Sequence, residues 1–307
     1  MAHRRLAGRT DRIVIVGAGL GGLSAALRLT GAGREVVVLE AAEGPGGLMG
    51  RWQSGGYTFD TGPSVLTMPN LIDDALACVG ESRSDWLELS RLDPSYRATF
   101  ADGSTLRSFA DVEQMSEEVA RVCGPGEVRG YRDLVDYLTA LYRTEFETFM
   151  NRNLDSMSDL VRPEALTLLR LGGLRGLQHC VDRFVTDDRL SRLFTFQAMY
   201  AGLAPAKARA LYGVIPYLDS VAGVWFPRGG MYRVAEALAG AAAKHGARFR
   251  YRTPVRRVEV SGDQARAVIT EQGERIEADA VILNTDLQYG YGSLLPADLA
   301  PRRLSRS

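Results

Sequence analysis

The feature that most constrains this chain is a strand, a glycine turn, a helix, a second strand and an acid, in that order, near its start. Arg12 to Val16 reads R-I-V-I-V, a short β-branched run suited to a strand buried on both faces. Gly17-Ala18-Gly19-Leu20-Gly21-Gly22 follows and matches G-x-G-x-x-G, and Leu23 to Gly31 then carries Ala and Leu at helical spacing. A second apolar run, Val36 to Leu39, ends in Glu40. Each part has a physical task. Gly17 permits the tight turn, Gly19 lets backbone approach a pyrophosphate, and Gly22 lets the helix pack on the strand. The helix N-terminus offers free N–H groups and a partial positive charge to phosphates. Glu40 stands where an acid accepts hydrogen bonds from the adenosine ribose and repels a 2′-phosphate, which disfavours NADP. This unit predicts a dinucleotide site and leaves FAD and NAD open.

The next segment favours FAD. Glu43-Gly44-Pro45-Gly46-Gly47 follows the acid almost at once, then Arg51, then Tyr57-Thr58-Phe59-Asp60-Thr61-Gly62-Pro63. A second glycine cluster lets more backbone approach an extended cofactor. The same residues also read as a hairpin, with strands around Arg51–Trp52 and Tyr57–Phe59 and a Gly55-Gly56 turn. Both readings hold together, because turns present backbone amides to ligands.

Composition narrows the partners. Lys+Arg and Asp+Glu are both 37, so nothing in the charge supports nucleic acid as a partner. Cys78, Cys123 and Cys180 are sparse and lack a CxxC pair, which suits a reducing cytoplasm and argues against zinc or a disulfide framework. His3, His179 and His245 are scattered, so no metal is expected. The basic start (His3, Arg4, Arg5, Arg9, Arg12) before Ile13–Leu27 mimics a signal peptide, but Gly17, Gly19, Gly21 and Gly22 interrupt the run and no A-x-A pattern ends it. No other stretch approaches about 20 apolar residues, so no membrane-spanning helix is expected.

From Met68 to Trp225 the pattern becomes mainly helical. Asp111–Val122 and Tyr131–Met150 show helical spacing, with Gly124-Pro125-Gly126 as a break. Leu89–Asp93 and Arg97–Leu106 suggest a small sheet with an Asp102-Gly103 turn. Leu166–Val181 is apolar with Arg170 and Arg175 interspersed. It reads either as a helix packed on a cavity and broken at Gly172-Gly173, which is preferred, or as a stretch lying in a membrane interface. Phe194 to Gly202 is an aromatic stripe, core by default. Gly223-Val224-Trp225-Phe226-Pro227-Arg228-Gly229-Gly230-Met231 then precedes a helix from Tyr232 to His245 with a Gly246 stop. Strands follow at Val255–Val260 and Ala265–Thr270 across a Gly262-Asp263 turn, and Ala280-Val281-Ile282-Leu283 reads as a buried strand.

These segments resemble the bacterial phytoene desaturases (phytoene dehydrogenases), within the wider flavin amine-oxidase-like superfamily. The runs carrying the resemblance are Ile13–Pro69, with E-x-x-x-x-x-G-G and F-D-T-G-P-S-V-L-T-M-P, and Gly223–Met231. The resemblance extends along nearly all of the chain from Ile13 to Leu295. The resemblance implies an α/β fold: a Rossmann-like, GR2-type FAD-binding domain with an inserted, mainly helical substrate domain. It divides the chain into 11–75 and 225–290 (FAD-binding domain), 76–224 (substrate and membrane-associated domain) and 291–307 (the start of a further substrate segment). It implies that Gly46 and Gly47 lie near the FAD phosphates, that Gly62 and Pro63 lie beside the isoalloxazine ring, and that Val255 meets the adenine through its backbone. The family usually carries Arg directly after the glycine pair. Here that position is Leu48, while Arg51 is retained and is expected to face the phosphate charge.

The implied activity is desaturation of a C–C single bond in phytoene or a similar polyene, with hydride passing to flavin and a proton leaving the neighbouring carbon. Phe194–Gly202, Tyr212, Pro216 and Tyr217 resemble the wall of the substrate tunnel. No catalytic residue is assigned, Asp219 and Arg228 being no more than neighbours of signature segments. The expected location is the cytoplasm, with peripheral contact on the cytoplasmic membrane. Family members continue beyond the final Arg302-Arg303-Leu304-Ser305-Arg306-Ser307 with a Gly-rich segment facing the flavin, so the C-terminal part of the fold is absent from this sequence. The chain alone is therefore expected to be poorly stable and inactive, or to need a complementary C-terminal polypeptide. The rival readings are a flavin amine oxidase and a non-catalytic FAD- or lipid-binding fragment.

Overall fold

The structure is a computed structural model that describes residues 11–152, 163–262, 264–296 and 298–299. The basic residues His3, Arg4, Arg5 and Arg9, Asp263 of the expected turn, and the run Arg302 to Ser307 lie outside the described residues. The chain forms two compact units: Arg91–Trp225, and a second unit assembled from the stretches on either side of it.

The second unit, here the nucleotide unit, opens with β1 (Arg12–Val16), α1 (Leu20–Gly31) and β2 (Glu35–Leu39), then the hairpin β3 (Arg51–Ser54) and β4 (Tyr57–Asp60), α2 (Asn70–Ala77) and β5 (Leu89–Arg91). The helical unit contains the hairpin β6 (Tyr96–Thr99) and β7 (Thr105–Ser108), followed by α3 (Val112–Val122), α4 (Glu127–Glu145), α5 (Pro163–Arg170), α6 (Leu177–Val181), α7 (Asp188–Leu193) and α8 (Val214–Tyr217). The chain returns through β8 (Trp225–Pro227), α9 (Tyr232–Lys244), β9 (Arg248–Arg250), β10 (Val255–Ser261), β11 (Gln264–Thr270), β12 (Arg275–Glu277), β13 (Ala280–Leu283) and the short α10 (Leu287–Tyr289).

The nucleotide unit is built on a four-stranded parallel sheet in the order β13-β1-β2-β9. Val14 at its centre pairs with Val281 on one side and Val37 on the other. Such a strand is covered on both faces, which is why R-I-V-I-V is continuous rather than alternating. Leu23, Ala26 and Leu27 of α1 are fully buried. Helix α9 is so rich in alanine because Ala235, Ala237, Ala239, Ala241 and Ala242 all face inward, where small side chains permit close approach. A separate antiparallel sheet, β10-β11-β12, buries Val255, Val258, Ala267 and Val268.

In the helical unit, Leu134, Leu138, Leu177, Val181, Leu190 and Phe194 form one buried cluster under β6 and β7. Asp111 caps α3, its carboxylate accepting from Gln114 N at 2.9 Å. The chain breaks at Gly124–Gly126, and α4 ends in one wide π turn, Phe146–Met150. Leu166–Val181 is two helices separated at Gly172-Gly173, as the glycines predict. In the aromatic stripe, Phe194, Gln197 and Ala198 are core, whereas Met199 and Tyr200 are exposed.

Three expectations need correction. The first unit boundary falls at Ser90/Arg91 rather than 75/76. Helix α2 stays with the nucleotide unit because it buries Ile72, Ala75 and Leu76 and runs its end against α1, with Cys78 O where a Cβ on Gly31 would lie. Residues 291–294 do not open a new segment, since Leu294 is buried in the core of Val14, Val16 and Val255. Leu89–Asp93 does not join the Arg97–Leu106 hairpin. β5 pairs instead with β8, held by Leu92 N to Val224 O at 2.9 Å and Arg228 N to Glu88 O at 2.9 Å. Sequential strands usually pair, but here the returning chain fills that edge.

Candidate cofactor cleft

Strand β1 has β2 on one side and β13 on the other, so the chain leaves its C-terminal end in one direction and returns from the other. That is where open parallel sheets hold ligands. A cleft of about 740 Å³ lies there, lined by Gly17, Gly19, Leu20, Gly21, Glu40, Gly46, Gly47, Leu48, Met49, Pro63, Asn284, Thr285 and Asp286.

The two glycine clusters meet across this cleft. Gly46 N donates to Ala18 O at 2.8 Å, and Gly19 and Gly46 form an isolated parallel bridge. Gly46 has φ +118°, and a Cβ there would lie 2.4 Å from Met49 O, so only glycine fits. At Gly22 a Cβ would lie 2.2 Å from Gly17 O, which leaves no room for a side chain between turn and helix. Gly19 caps α1 without a side chain, and the first turn carries no acid. That end remains favourable to an anion.

Glu40 closes the far side. One carboxylate oxygen accepts from Ala18 N at 2.6 Å and the other from Ala42 N at 2.9 Å. A carboxylate has about four acceptor sites, so hydroxyl donors of a ribose can still be met there. Among the described residues no Lys or Arg lines the cleft, and Leu48 is 93% exposed beside the glycine pair.

Of the expected site residues, Gly17, Gly19, Glu40, Gly46, Gly47 and Pro63 line the cleft. Gly22 and Gly62 stand behind it, a Cβ on Gly62 falling 2.0 Å from Leu48 O. Val255 sits in the core with Val14 and Leu39 rather than in the cleft wall. Arg51 points toward α9: its guanidinium lies 3.3 Å from Glu236 and 4.5 Å above the Tyr232 ring. It does not line the cleft, because an acid and an aromatic face hold it elsewhere.

Sequence reasoning missed Asn284 and Asp286. Asn284 N donates to Val16 O at 2.9 Å, and its side-chain amide reaches Gly17 O at 3.4 Å. A Cβ on Gly21 would lie 2.6 Å from its side-chain oxygen. The available signal was position, since Asn284 is the first residue after a strand adjoining β1, where side chains face a ligand crevice. Asp60 was also unread. Its carboxylate accepts from Met231 N at 2.8 Å and Tyr232 N at 3.1 Å, capping α9 and joining F-D-T-G-P to P-R-G-G-M. Arg228 pairs on the surface with Glu88 at 3.0 Å.

A parallel sheet whose glycine turn, helix N-terminus and acid share one cleft defines a dinucleotide-binding flavoprotein class. The family model for flavin containing amine oxidoreductase matches residues 20–295, and the chain belongs to that family. The cofactor of that family is a flavin, and the backbone-lined cleft fits such a group. The chain is 50% identical over 284 residues to a phytoene dehydrogenase of Streptomyces griseus, covering 92% of this chain and 56% of that protein. It is 39% identical over 285 residues to a zeta-carotene-forming phytoene desaturase of Myxococcus xanthus, covering 92% and 55%. The chain thus spans about half the length of the curated relatives it matches. Among solved structures, an engineered putrescine oxidase superposes with TM-score 0.62 at 20% identity, covering 96% of this chain and 62% of that one. Likeness at that identity speaks for the fold alone.

Proposed function

We propose that this chain supplies the FAD-binding core of an oxidoreductase that desaturates phytoene or a similar hydrophobic polyene. The observation that carries the reading is 50% identity over 284 residues, 92% of this chain, to a phytoene dehydrogenase. FAD held in this cleft would supply the hydride-accepting chemistry. The chain's own contribution is to hold the pyrophosphate on the backbone of Gly17–Gly22 and Gly46–Gly47, the ribose on Glu40, and the ring near Gly62 and Pro63. Val255 is assigned the adenine, and Arg51 reaches phosphate charge only by leaving Glu236.

The test is incubation of the flavin-loaded protein with phytoene in liposomes. A product with longer conjugation, separated by chromatography, supports the reading. Oxidation of amines with no change in phytoene would replace it by the amine oxidase alternative, and bound flavin with neither reaction by a non-catalytic fragment.

Peripheral membrane contact forms part of the same reading. Leu166, Leu169 and Leu174 are each more than half exposed on the helical unit, with Arg170 and Arg175 exposed beside them. Apolar side chains flanked by guanidinium groups suit the boundary of headgroups and acyl chains. Among the described residues no helix is long and apolar enough to cross a membrane. Flotation with anionic vesicles supports surface contact, and its absence removes it.

A further inference from the structure

The glycine turn carries one glycine more than its backbone requires. Gly17 has φ +102°, and a Cβ on Gly22 would lie 2.2 Å from Gly17 O, so the turn itself fixes those two positions. Gly21 is different. It stands in the first turn of α1 without a left-handed φ, at a position that G-x-G-x-x-G leaves open. Glycine in a helix is less stable than alanine. Outside its own helix, a Cβ on Gly21 would meet one residue: the side-chain oxygen of Asn284, 2.6 Å away. The same carboxamide lies over Gly19 and Gly22, its nitrogen 3.1 Å from the Cβ position of each. Three glycines together leave the room that one side chain fills.

Asn284 reaches that place because of where β13 ends. Its backbone N–H donates to Val16 O at 2.9 Å, which keeps it beside the end of β1 at the C-terminal edge of the sheet. Nδ2 donates to Gly17 O in a long bond of 3.4 Å, which orients the amide. An amide nitrogen carries two N–H donors, and the second has no partner among the described residues. Of the residues lining the cleft, only Asn284 and Thr285 have side-chain donors. The Thr285 hydroxyl is turned to Asp286 O at 3.3 Å. Glu40 and Asp286 are engaged with backbone N–H groups. One side-chain N–H therefore faces a cleft that has no guanidinium or ammonium group among the described residues.

We infer that Asn284 is a phosphate-binding residue of the cofactor cleft and that Gly21 is the position that seats it. The carboxamide, lodged over Gly19, Gly21 and Gly22, donates to the pyrophosphate of the bound dinucleotide where a cation would otherwise stand. This rests on the flavin reading of the cleft and is independent of the substrate. A neutral donor has consequences that a cation would not. The pyrophosphate is met by dipoles alone, from backbone N–H groups, the start of α1 and one amide, so affinity varies little with salt. A negative charge at position 284 would oppose the cofactor directly. Gly21 acts only through Asn284, as a positioning residue.

The experiment is titration of the flavin-free protein with FAD at several salt concentrations, followed by flavin fluorescence. The melting temperature of each flavin-free protein is recorded beside it. Wild type should bind with an affinity that stays nearly level as salt rises. Asn284→Asp keeps the shape but exchanges the donor for a charge, so affinity should fall on the order of 100-fold and recover in part with salt. Asn284→Ala should lose about tenfold, and Asn284→Ser, which keeps a shorter donor, should lose less. Gly21→Ala should lose about tenfold in the wild-type chain and almost nothing once residue 284 is alanine, since both changes remove the same contact. Every variant, flavin-free, should melt no lower than wild type.

Equal affinity in wild type and Asn284→Asp would overturn the inference. So would losses that merely track a lower melting temperature, which a structural role alone would give. A steep loss of wild-type affinity with salt would put a cation on the pyrophosphate and overturn it as well. A Gly21→Ala loss that persists in the Asn284→Ala background would overturn the seating, because the added methyl would then meet the cofactor itself. If wild type ignores FAD, the flavin reading falls and the inference with it. That titration involves no variant, so the two failures are told apart.

Discussion

The two units spend their acids differently. In the nucleotide unit, Glu40, Asp60 and Asp286 each accept backbone N–H groups, holding the glycine loop, the start of α9 and the turn after β13. In the helical unit, Glu118, Glu145 and Asp219 are buried side chains. Glu118 is held by Arg107 and Arg121, whereas Glu145 Oε1 has no partner among the described residues. Those three carboxylates of the nucleotide unit fix backbone geometry, whereas in the helical unit burial raises Glu145 and Asp219 and two guanidinium groups hold Glu118 low.

The comparison can be broken first through stability. Leu134→Ala removes a side chain at 0% exposure and should cost about 3 kcal/mol in urea unfolding of the helical unit. FAD affinity should be unchanged, and coupled loss of both would deny the units separate roles. Gly22→Val places atoms where Gly17 O stands and should weaken FAD binding by about 2 kcal/mol, roughly 30-fold, as read by flavin retained after desalting.

The two buried glutamates should give opposite pH dependences. Burial alone would raise Glu118, but hydrogen bonds from Arg121 and Arg107 overcome it and hold the carboxyl at about 2. Its contribution is complete above the ordinary value of 4.5 and is lost as pH falls toward 2. Burial pushes Glu145 up to about 8, so the folded chain holds a proton that the unfolded chain has released. Stability should fall as pH rises from 4.5 to about 8. Glu145→Met should flatten that slope in urea titrations, and an unchanged slope would remove Glu145 from the account. The smallest effect belongs to the cleft. Leu48→Arg should tighten FAD binding about fivefold, roughly 1 kcal/mol, and the gain should shrink with added salt.

The legible parts of this molecule are those where backbone conformation itself dictates the residue. Gly17, Gly19, Gly22, Gly46 and Gly47 could be read because few side chains survive at such turns, and β1 and β2 because both faces of a parallel strand are apolar. The sequence also yielded the break at Gly172-Gly173 and the stop at Gly246. Arg51 was placed at the phosphates by its charge, but Glu236 and Tyr232 compete for it from far along the chain. The unit boundary was drawn too early because α2 has an ordinary amphipathic pattern that does not say which core it joins. Asn284 carried no motif, and its role appears only once β13 lies beside β1. Burial of Glu118, Glu145 and Asp219 is a tertiary property that no local pattern announces.

The most direct test of the central claim is the flavin content of the purified protein after gel filtration. The account predicts visible flavin bands on the folded protein, FAD released on heating, and loss of those bands in Gly22→Val. A folded, colourless protein that ignores added FAD and binds NAD instead would contradict it.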